Sequence, residues 1–551
     1  MQSKNTTAQI ASLSNKLFGW RANWRLFQTS RKIAAKARPL SGKKPVVFFN
    51  ASTRLTGLSL NAAFAYLAAC GLQLAGVPVV YFACNAGMSR CVLGTDRDDH
   101  TNPPPCRGCT AQAGRLFSHT ATVWFDYSQN NSLAHCLQDL NLDELACFKP
   151  SFSLNGRSSG DLAIPLGDLT LPSLRWALRR HHLKDDEANR FLLRQYLLSA
   201  YNLAREFDRF LDQVEPETAV IFNGIMYPEA VARWVAQNRG VRVVTHEVGF
   251  RPFSAFFTDG EATAYPISIP DDFELSETQN ARLDEYLEKR FQGEFTMAGI
   301  RFWPEMRGLD ENILGKLAGF KQIVPVFTNV IYDTSQVHAN TVFPHMFAWL
   351  DLVLELVRDH PETLFVIRAH PDEMRPGTAK QSRESVQGWV QRNRVDALPN
   401  VIFIQPQEYI SSYELIRQAR FVMVYNSSVG LEATLMGAAV LCGGKARYTQ
   451  YPTVFFPGTP EDYRRQAEAF LSGGGAVTSP PDFRRHARRF LYYQLFRASL
   501  PFDEFLENNP RPGFVQLRPF SSQQLSPGRS PTIKVLVDGI LHATPFLLNE
   551  N

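Results

Sequence analysis

From residue 45 onward the apolar positions fall into short continuous runs separated by longer stretches at helical spacing, the rhythm of strands alternating with helices. Residues 46–49 read as a strand, 58–75 as a helix and 77–82 as a second strand, so one βαβ unit opens a parallel sheet. The rhythm returns at 218–222 (strand), 228–237 (helix, with Pro228 in its first turn) and 241–245 (strand). Mainly helical segments, including 171–210, lie between. A mixed stretch over 260–319 is followed by a second run, with strands predicted at 322–327, 363–367, 400–404, 421–424 and 438–441 and helices near 344–359, 382–392, 413–418 and 430–436. The pattern therefore predicts an α/β protein of two Rossmann-like, doubly wound domains whose strand ends face one cleft. The expected division is an extension over 1–44, a first domain over 45–315, a second over 316–480, and a crossover helix with tail over 481–551. In that tail, 533–537 reads as a strand.

The first 44 residues follow a different pattern. Leu13, Leu17, Trp20, Trp24 and Phe27 recur at helical spacing, with Lys16, Arg21 and Arg25 between them. This predicts an amphipathic helix, lying either on an anionic membrane surface or against its own protein. Charge sharpens the point. The segment holds ten of the 58 basic residues and no acidic one, so the remainder carries 48 basic against 53 acidic side chains. A body of that balance does not suggest nucleic-acid binding. At 551 residues, 44% hydrophobic and 20% charged, the chain has the composition of a folded protein of more than one domain. The most apolar stretch, 58–84, is broken by Asn61, Gly71, Gln73, Gly76 and Pro78, which suits a buried helix and strand rather than a bilayer span. Without an apolar secretory core near the N-terminus, the expected location is the cytoplasm, with peripheral contact at the inner face of the plasma membrane through residues 1–44.

Chemistry concentrates where two strands of the second domain end. Val366-Ile367-Arg368-Ala369-His370-Pro371 and Val424-Tyr425-Asn426-Ser427-Ser428-Val429-Gly430-Leu431-Glu432 each pass from an apolar strand to polar residues. This places His370 and the serine pair at the carboxyl edge of a parallel sheet, where ligands bind. Ser427 and Ser428 also open a helix, an arrangement suited to phosphate, although an isolated Ser-Ser is ordinarily a helix cap. Arg368, Lys445 and the Gly443-Gly444 turn add cationic and close-approach positions. Glu432, one turn beyond Ser428, is placed to reach ribose hydroxyls or simply to face solvent in the first helical turn. Thr328, Asn329, Asp333, Asn223 and Gly224 follow strand ends and are weaker candidates for the cleft.

The His-Pro after a strand, the later Ser-Ser-Val-Gly-Leu-Glu-Ala and the trailing Gly-Gly-Lys-Ala-Arg-Tyr resemble the capsule polysaccharide biosynthesis proteins, which include β-Kdo transferases, and more distantly bacterial sialyltransferases with HP and SS motifs. The resemblance covers mainly 320–450. It implies a GT-B fold and a glycosyltransferase that moves a sugar from a nucleotide-activated donor, CMP-Kdo-like, to a hydroxyl of a surface polysaccharide or glycolipid. It assigns the nucleotide and its phosphate to His370, Ser427 and Ser428, and Pro371 and Gly430 beside them are expected in the same donor site. A general base is implied in Thr245-His246-Glu247-Val248-Gly249, where Glu247 is the acidic residue before the glycine, flanked by His246 and Val248 rather than by a second acid.

No acidic metal motif stands in the second domain and the Glu-x7-Glu pattern of many retaining GT-B enzymes is missing around Glu432, so catalysis without a metal cofactor is expected. The residues alone do not separate CMP from UDP. Alternatives are a nucleotide-sugar epimerase or glycerophosphate polymerase on the same frame, or a non-catalytic polysaccharide assembly subunit. Separately, Cys84, Cys91, Cys106 and Cys109 cluster in sequence, the last two as Pro-Cys-Arg-Gly-Cys. A structural zinc is the first reading of four thiolates, with an iron–sulfur cluster, free thiols or a redox pair as the others.

Overall fold

The computed structural model describes residues 2–50, 57–156, 162–293, 296–297, 300–301, 307–374, 381–474, 476–511 and 513–550; for 2–18, 296–297 and 300–301 only the backbone is described. Among the described residues twelve strands form the two main sheets. In chain order they are β1 (Val46–Asn50), β2 (Val79–Cys84), β3 (Ala121–Phe125), β4 (Thr218–Phe222), β5 (Arg242–Val248), β6 (Ser254–Thr258), β7 (Gln322–Phe327), β8 (Thr363–Arg368), β9 (Val401–Ile404), β10 (Val422–Val424), β11 (Val440–Cys442) and β12 (Leu500–Pro501). The first sheet runs β12-β6-β5-β4-β1-β2-β3, and the second runs β9-β8-β7-β10-β11.

The second sheet is wholly parallel. The first is parallel from β3 to β5, and β6 and β12 add an antiparallel edge. Both are doubly wound. In the first, β1 pairs with β2 on one side and β4 on the other; in the second, β7 pairs with β8 and with β10. At such a reversal the connections leave in opposite directions and open a crevice beyond the strand ends. These two Rossmann-like domains facing a cleft are the GT-B arrangement.

Strands buried on both faces explain the continuous apolar runs: all six residues of β7 and of β8 are buried. Among the segments not predicted as strands, β3 lacks that signal, whereas β6 is buried from Ser254 to Phe257 but holds only three consecutive apolar residues, and β12 is only two residues long. In β3 (ATVWF) alternate residues are exposed, as at a sheet edge. The segment 533–537, read as a strand, lies in a helix, Pro531–His542. Ser530 caps it, Pro531 occupies its first turn, and Ile533, Leu536, Val537 and Ile540 bury one face at helical spacing, which outweighs the β-branched local sequence. Ile533 packs so closely on the helix Leu60–Leu74 that a Cβ at Gly71 would lie 2.6 Å from it.

The chain after 480 joins both halves. The helix Pro481–Tyr492 and the π turn Tyr493–Arg497 bury Phe490, Tyr492 and Leu495 in a cluster shared with Phe256 and Ile267 on one side and Phe327, Val424 and Leu431 on the other. The N-terminal helix, Gln2–Lys36, packs Leu26 and Ile33 into the core of the first sheet. Trp20 and Trp24 remain 65% and 52% exposed and stack at 6.1 Å. Leu13, Lys16 and Leu17 have no described side chains. Among the described residues no helix is long and apolar enough to cross a membrane.

Candidate active site

A cavity of about 600 Å³ lies between the carboxyl ends of the two sheets. Glu247, His370, Ser427, Ser428, Glu432 and Lys445 all line it, together with Arg368 and Pro371. His370 leaves β8 and the serines leave β10, the two strands that flank β7, so topology brings together loops about 57 residues apart in sequence.

The loops are tied to one another. Thr328, just past β7, donates its hydroxyl to the Arg368 carbonyl at 2.9 Å, and Asn329 donates to Asn426 Oδ1 at 2.6 Å. His370 Nδ1 accepts the Asp372 N–H at 3.1 Å at the start of the short turn Pro371–Glu373. In a neutral imidazole that leaves the proton on Nε2, where the ring is a donor.

Neither serine hydroxyl caps the helix that follows. Ser428 occupies the cap position of Val429–Leu435 without a side-chain cap bond, and neither hydroxyl has a partner among the described residues. The capping explanation of the Ser-Ser pair therefore fails here. The helix itself is only seven residues long, so the hydroxyls and loop amides matter more than its dipole. Gly430 is required by close approach: a Cβ there would stand 2.3 Å from Tyr448 Oη, which donates to the Ser427 carbonyl at 2.8 Å.

Two expected ligand contacts, Arg368 and Glu432, are engaged within the protein. Arg368 is buried; it donates to the Ile410 carbonyl and, at 2.8 Å, to Ser412 Oγ, and burial pushes its guanidinium down to about 10. It thus pins the 410–412 loop. Glu432, expected to reach ribose or to face solvent, is buried instead, with Arg290 at 2.6 Å and the Tyr413 hydroxyl at 2.7 Å. Burial disfavours the charged form of Arg290, but Glu432, Tyr286 and Tyr413 more than compensate, so Arg290 stays charged. Lys445 is exposed at the cleft, its backbone held by the Ala339 carbonyl at 2.9 Å, after a turn in which Gly443 packs on Trp349 and Gly444 on Tyr425.

Across the cleft, Glu247 stands near the end of β5, partly exposed. Its Oε1 accepts Asn61 Nδ2 at 3.1 Å and the Val248 N–H at 2.8 Å, and its Oε2 accepts Asn223 Nδ2 at 2.8 Å. A carboxylate able to accept all three is fixed in direction. Asn223 follows β4 with φ of 61°, a left-handed conformation that asparagine tolerates, and this turn points its amide at Glu247. His246 also lines the cavity wall: buried between Phe222 and Phe257, it is pushed down to about 3 by burial and stays neutral.

Other cleft residues carried no sequence signal. Glu229, in the first turn of the helix Tyr227–Asn238, lines the cavity and is pushed up to about 8 by burial. Arg290, Tyr265, Tyr413 and Arg447 also line it. Arg447 lay within the quoted Gly-Gly-Lys-Ala-Arg-Tyr segment, but only packing shows that it faces the first domain.

The four clustered cysteines lie at one corner of the first domain. Cys84 Sγ accepts the Gly87 N–H and Cys91 Sγ the Gly94 N–H, both at 3.2 Å, while Cys106 and Cys109 sit in the first turn of the helix Cys106–Leu116. Burial pushes the Cys84 and Cys91 thiols up to about 12. All eight cysteines are free, and among the described residues no group of three or more His, Cys, Asp or Glu side chains is arranged to hold a metal ion.

Comparison with known proteins follows this geometry. A β-Kdo 2,4-transferase, KpsC of Thermosulfurimonas dismutans, is similar with 13% identity and a TM-score of 0.34, over 55% of this chain and 84% of that one. The β-Kdo 2,7-transferase of the same KpsC has 14% identity and a TM-score of 0.31, over 58% and 86%. A UDP-GlcNAc 2-epimerase of Neisseria meningitidis bound to UDP-GlcNAc has 13% identity and a TM-score of 0.26, over 82% and 98%. No curated protein sequence matches the chain. Residues 305–454, which carry His370, the serine pair and the Gly-Gly-Lys turn, match the family model described as capsule polysaccharide biosynthesis protein.

Proposed function

We propose that the protein is a glycosyltransferase that moves a sugar from a nucleotide-activated donor, CMP-Kdo-like, to a hydroxyl of a capsular or surface polysaccharide or glycolipid. The observation that carries this reading is the meeting of His370, Ser427 and Ser428 on one side of a single cleft with Glu247 on the other. His370, whose Nε2 is the donor when the ring is neutral, and two serine hydroxyls with no hydrogen-bond partner among the described residues supply donors for the nucleotide phosphate. Lys445 adds positive charge at the rim. Donors fixed in place before reaction stabilise charge as the phosphate leaves, with no reorganisation at that moment. Glu247 takes the proton of the acceptor hydroxyl as its oxygen bonds the anomeric carbon and the bond from that carbon to the phosphate oxygen breaks. As drawn, the step uses no metal ion.

The acceptor would be met at the inner face of the plasma membrane, the protein held there by the basic N-terminal helix. The exposed Trp20–Trp24 stack and the acid-free charge of residues 1–44 support this placement.

The test is a thermal-shift screen of the whole chain with CMP, UDP, GDP and dTDP, followed by an assay of nucleotide released from the matching donor with and without acceptor glycan. A ligand of the native fold raises the melting point by mass action. CMP is expected to stand out, and nucleotide release is expected to need acceptor. Release that is indifferent to acceptor would instead mark an epimerase, and no shift with any nucleotide would leave an assembly subunit.

A further inference from the structure

Arg447 lines this cleft and makes no salt bridge among the described residues. Its guanidinium lies 4.1 Å from the centroid of Phe250 and 5.9 Å from that of Tyr265, both from the first domain, while Arg447 itself follows β11 in the second. The two rings pack together at 4.7 Å, and Tyr265 is fixed by its hydroxyl on the Val248 carbonyl at 2.8 Å. The aromatic faces attract the cation but accept no strong hydrogen bond from it. Nε is enclosed with no acceptor, and the guanidinium makes no hydrogen bond to any described residue. The nearby carboxylate, Glu432, is already taken by Arg290 and Tyr413. Two guanidinium groups thus share the neighbourhood of one carboxylate. Burial holds the Arg447 guanidinium below its ordinary range, Arg290 adds to this, and Tyr265, Tyr448 and Glu432 offset only part of it.

Its position says what kind of group would. Arg447 is adjacent to Tyr448, whose hydroxyl holds the Ser427 carbonyl, and faces Tyr265, whose hydroxyl holds the residue next to Glu247. It therefore stands between the serine loop and Glu247, where the transferred sugar and its leaving group would lie. We infer that Arg447 receives an oxyanion at the reacting end of the donor, either the leaving phosphate or the carboxylate of an acidic sugar. The inference rests on the nucleotide-sugar reading above. A planar guanidinium suits either group, since each presents two oxygens side by side.

Titration calorimetry of the full-length protein and of Arg447→Gln and Arg447→Lys tests it, with inorganic pyrophosphate, CMP and CMP-N-acetylneuraminate as probes. A loss of about tenfold or more in CMP and pyrophosphate affinity in Arg447→Gln, partly kept by Arg447→Lys, assigns the leaving phosphate. Unchanged CMP affinity, with loss of the additional affinity of the carboxylate-bearing CMP-sugar, assigns the sugar carboxylate. Either result supports the site. Binding of all three probes by Arg447→Gln within about twofold of wild type overturns it. So does an equal loss in Arg447→Gln and Arg447→Lys with a lowered melting point, which would mark a packing role. Pyrophosphate binding that depends on Arg447 in a protein that binds no nucleotide would keep the anion site while refuting the nucleotide-sugar reading.

Discussion

Asn223 reaches from the turn after β4 to Glu247 on β5 and donates its side-chain amide at 2.8 Å, one of three N–H groups that aim this carboxylate into the cleft. The two roles separate in mutants. Glu247→Gln removes the proton acceptor but keeps the shape, so turnover is expected to fall about 100-fold or more with nucleotide affinity unchanged. Asn223→Ala leaves the carboxylate present but less directed, with a smaller loss of about tenfold. Steady-state kinetics alongside calorimetry checks both; equal losses in nucleotide affinity would remove Glu247 from the role of base.

Gly430 and Tyr448 are linked by space rather than by chemistry. Gly430→Ala pushes a methyl group onto Tyr448 Oη and displaces the hydroxyl from the Ser427 carbonyl. Nucleotide affinity is expected to drop, and stability to fall by about 1–3 kcal/mol, the range for overpacking. Tyr448→Phe removes the obstructing oxygen, so the alanine should cost less stability in that background. A double-mutant cycle by urea denaturation reads the coupling.

The Arg290–Glu432 pair predicts an asymmetry. Glu432→Ala leaves a buried guanidinium uncompensated and should cost about 3–5 kcal/mol, whereas replacing both partners, as Arg290→Met with Glu432→Leu, should cost much less. Additive losses in chemical denaturation would show that the pair is not ionic in the folded state.

Four buried groups set a pH profile of opposing limbs. Glu229 and Glu373 are pushed up to about 8 by burial, so they bind protons more tightly folded than unfolded; their stabilising contribution is complete below about 4.5 and is lost as pH rises to 8. His181 and His246 are pushed down to about 3, by burial in both and in His181 also by Arg175, His345 and His182; their contribution is present above 6.5 and is lost as pH falls towards 3. Each group contributes roughly 1.4 kcal/mol per pH unit inside its window. Glu229→Gln should flatten the alkaline limb and His246→Phe the acid limb, read as urea midpoints from pH 3 to 9. A profile in which neither variant changes slope would refute both assignments.

Trp20 and Trp24 present an exposed aromatic pair on a helix with basic neighbours. Co-sedimentation with vesicles containing phosphatidylglycerol is expected, weakening with salt and with Trp20→Glu plus Trp24→Glu, and absent with purely zwitterionic vesicles. Salt-independent binding to both vesicle types would exclude the electrostatic part of this reading.

Periodicity in the chain determined the α/β class, the two doubly wound units and the polar residues at strand ends, because strands buried on both faces must be apolar and the residues where they emerge into a cleft need not be. His370 and the Ser427–Ser428 pair were legible for that reason. Tertiary structure alone decided what each polar side chain faces. Glu432 and Arg368 sit in cleft-forming segments yet spend their charge on Arg290, Tyr413 and the 410–412 loop, and Arg447 meets its aromatic neighbours only when the second domain packs on the first. The tail helix Pro531–His542 shows the same limit at the level of an element: its local sequence suits a strand, and the cap at Ser530 together with burial against Gly71 makes it a helix. Local sequence sets which groups can be buried or charged; which partner each one finds depends on chain segments hundreds of residues away, and no local pattern encodes that distance.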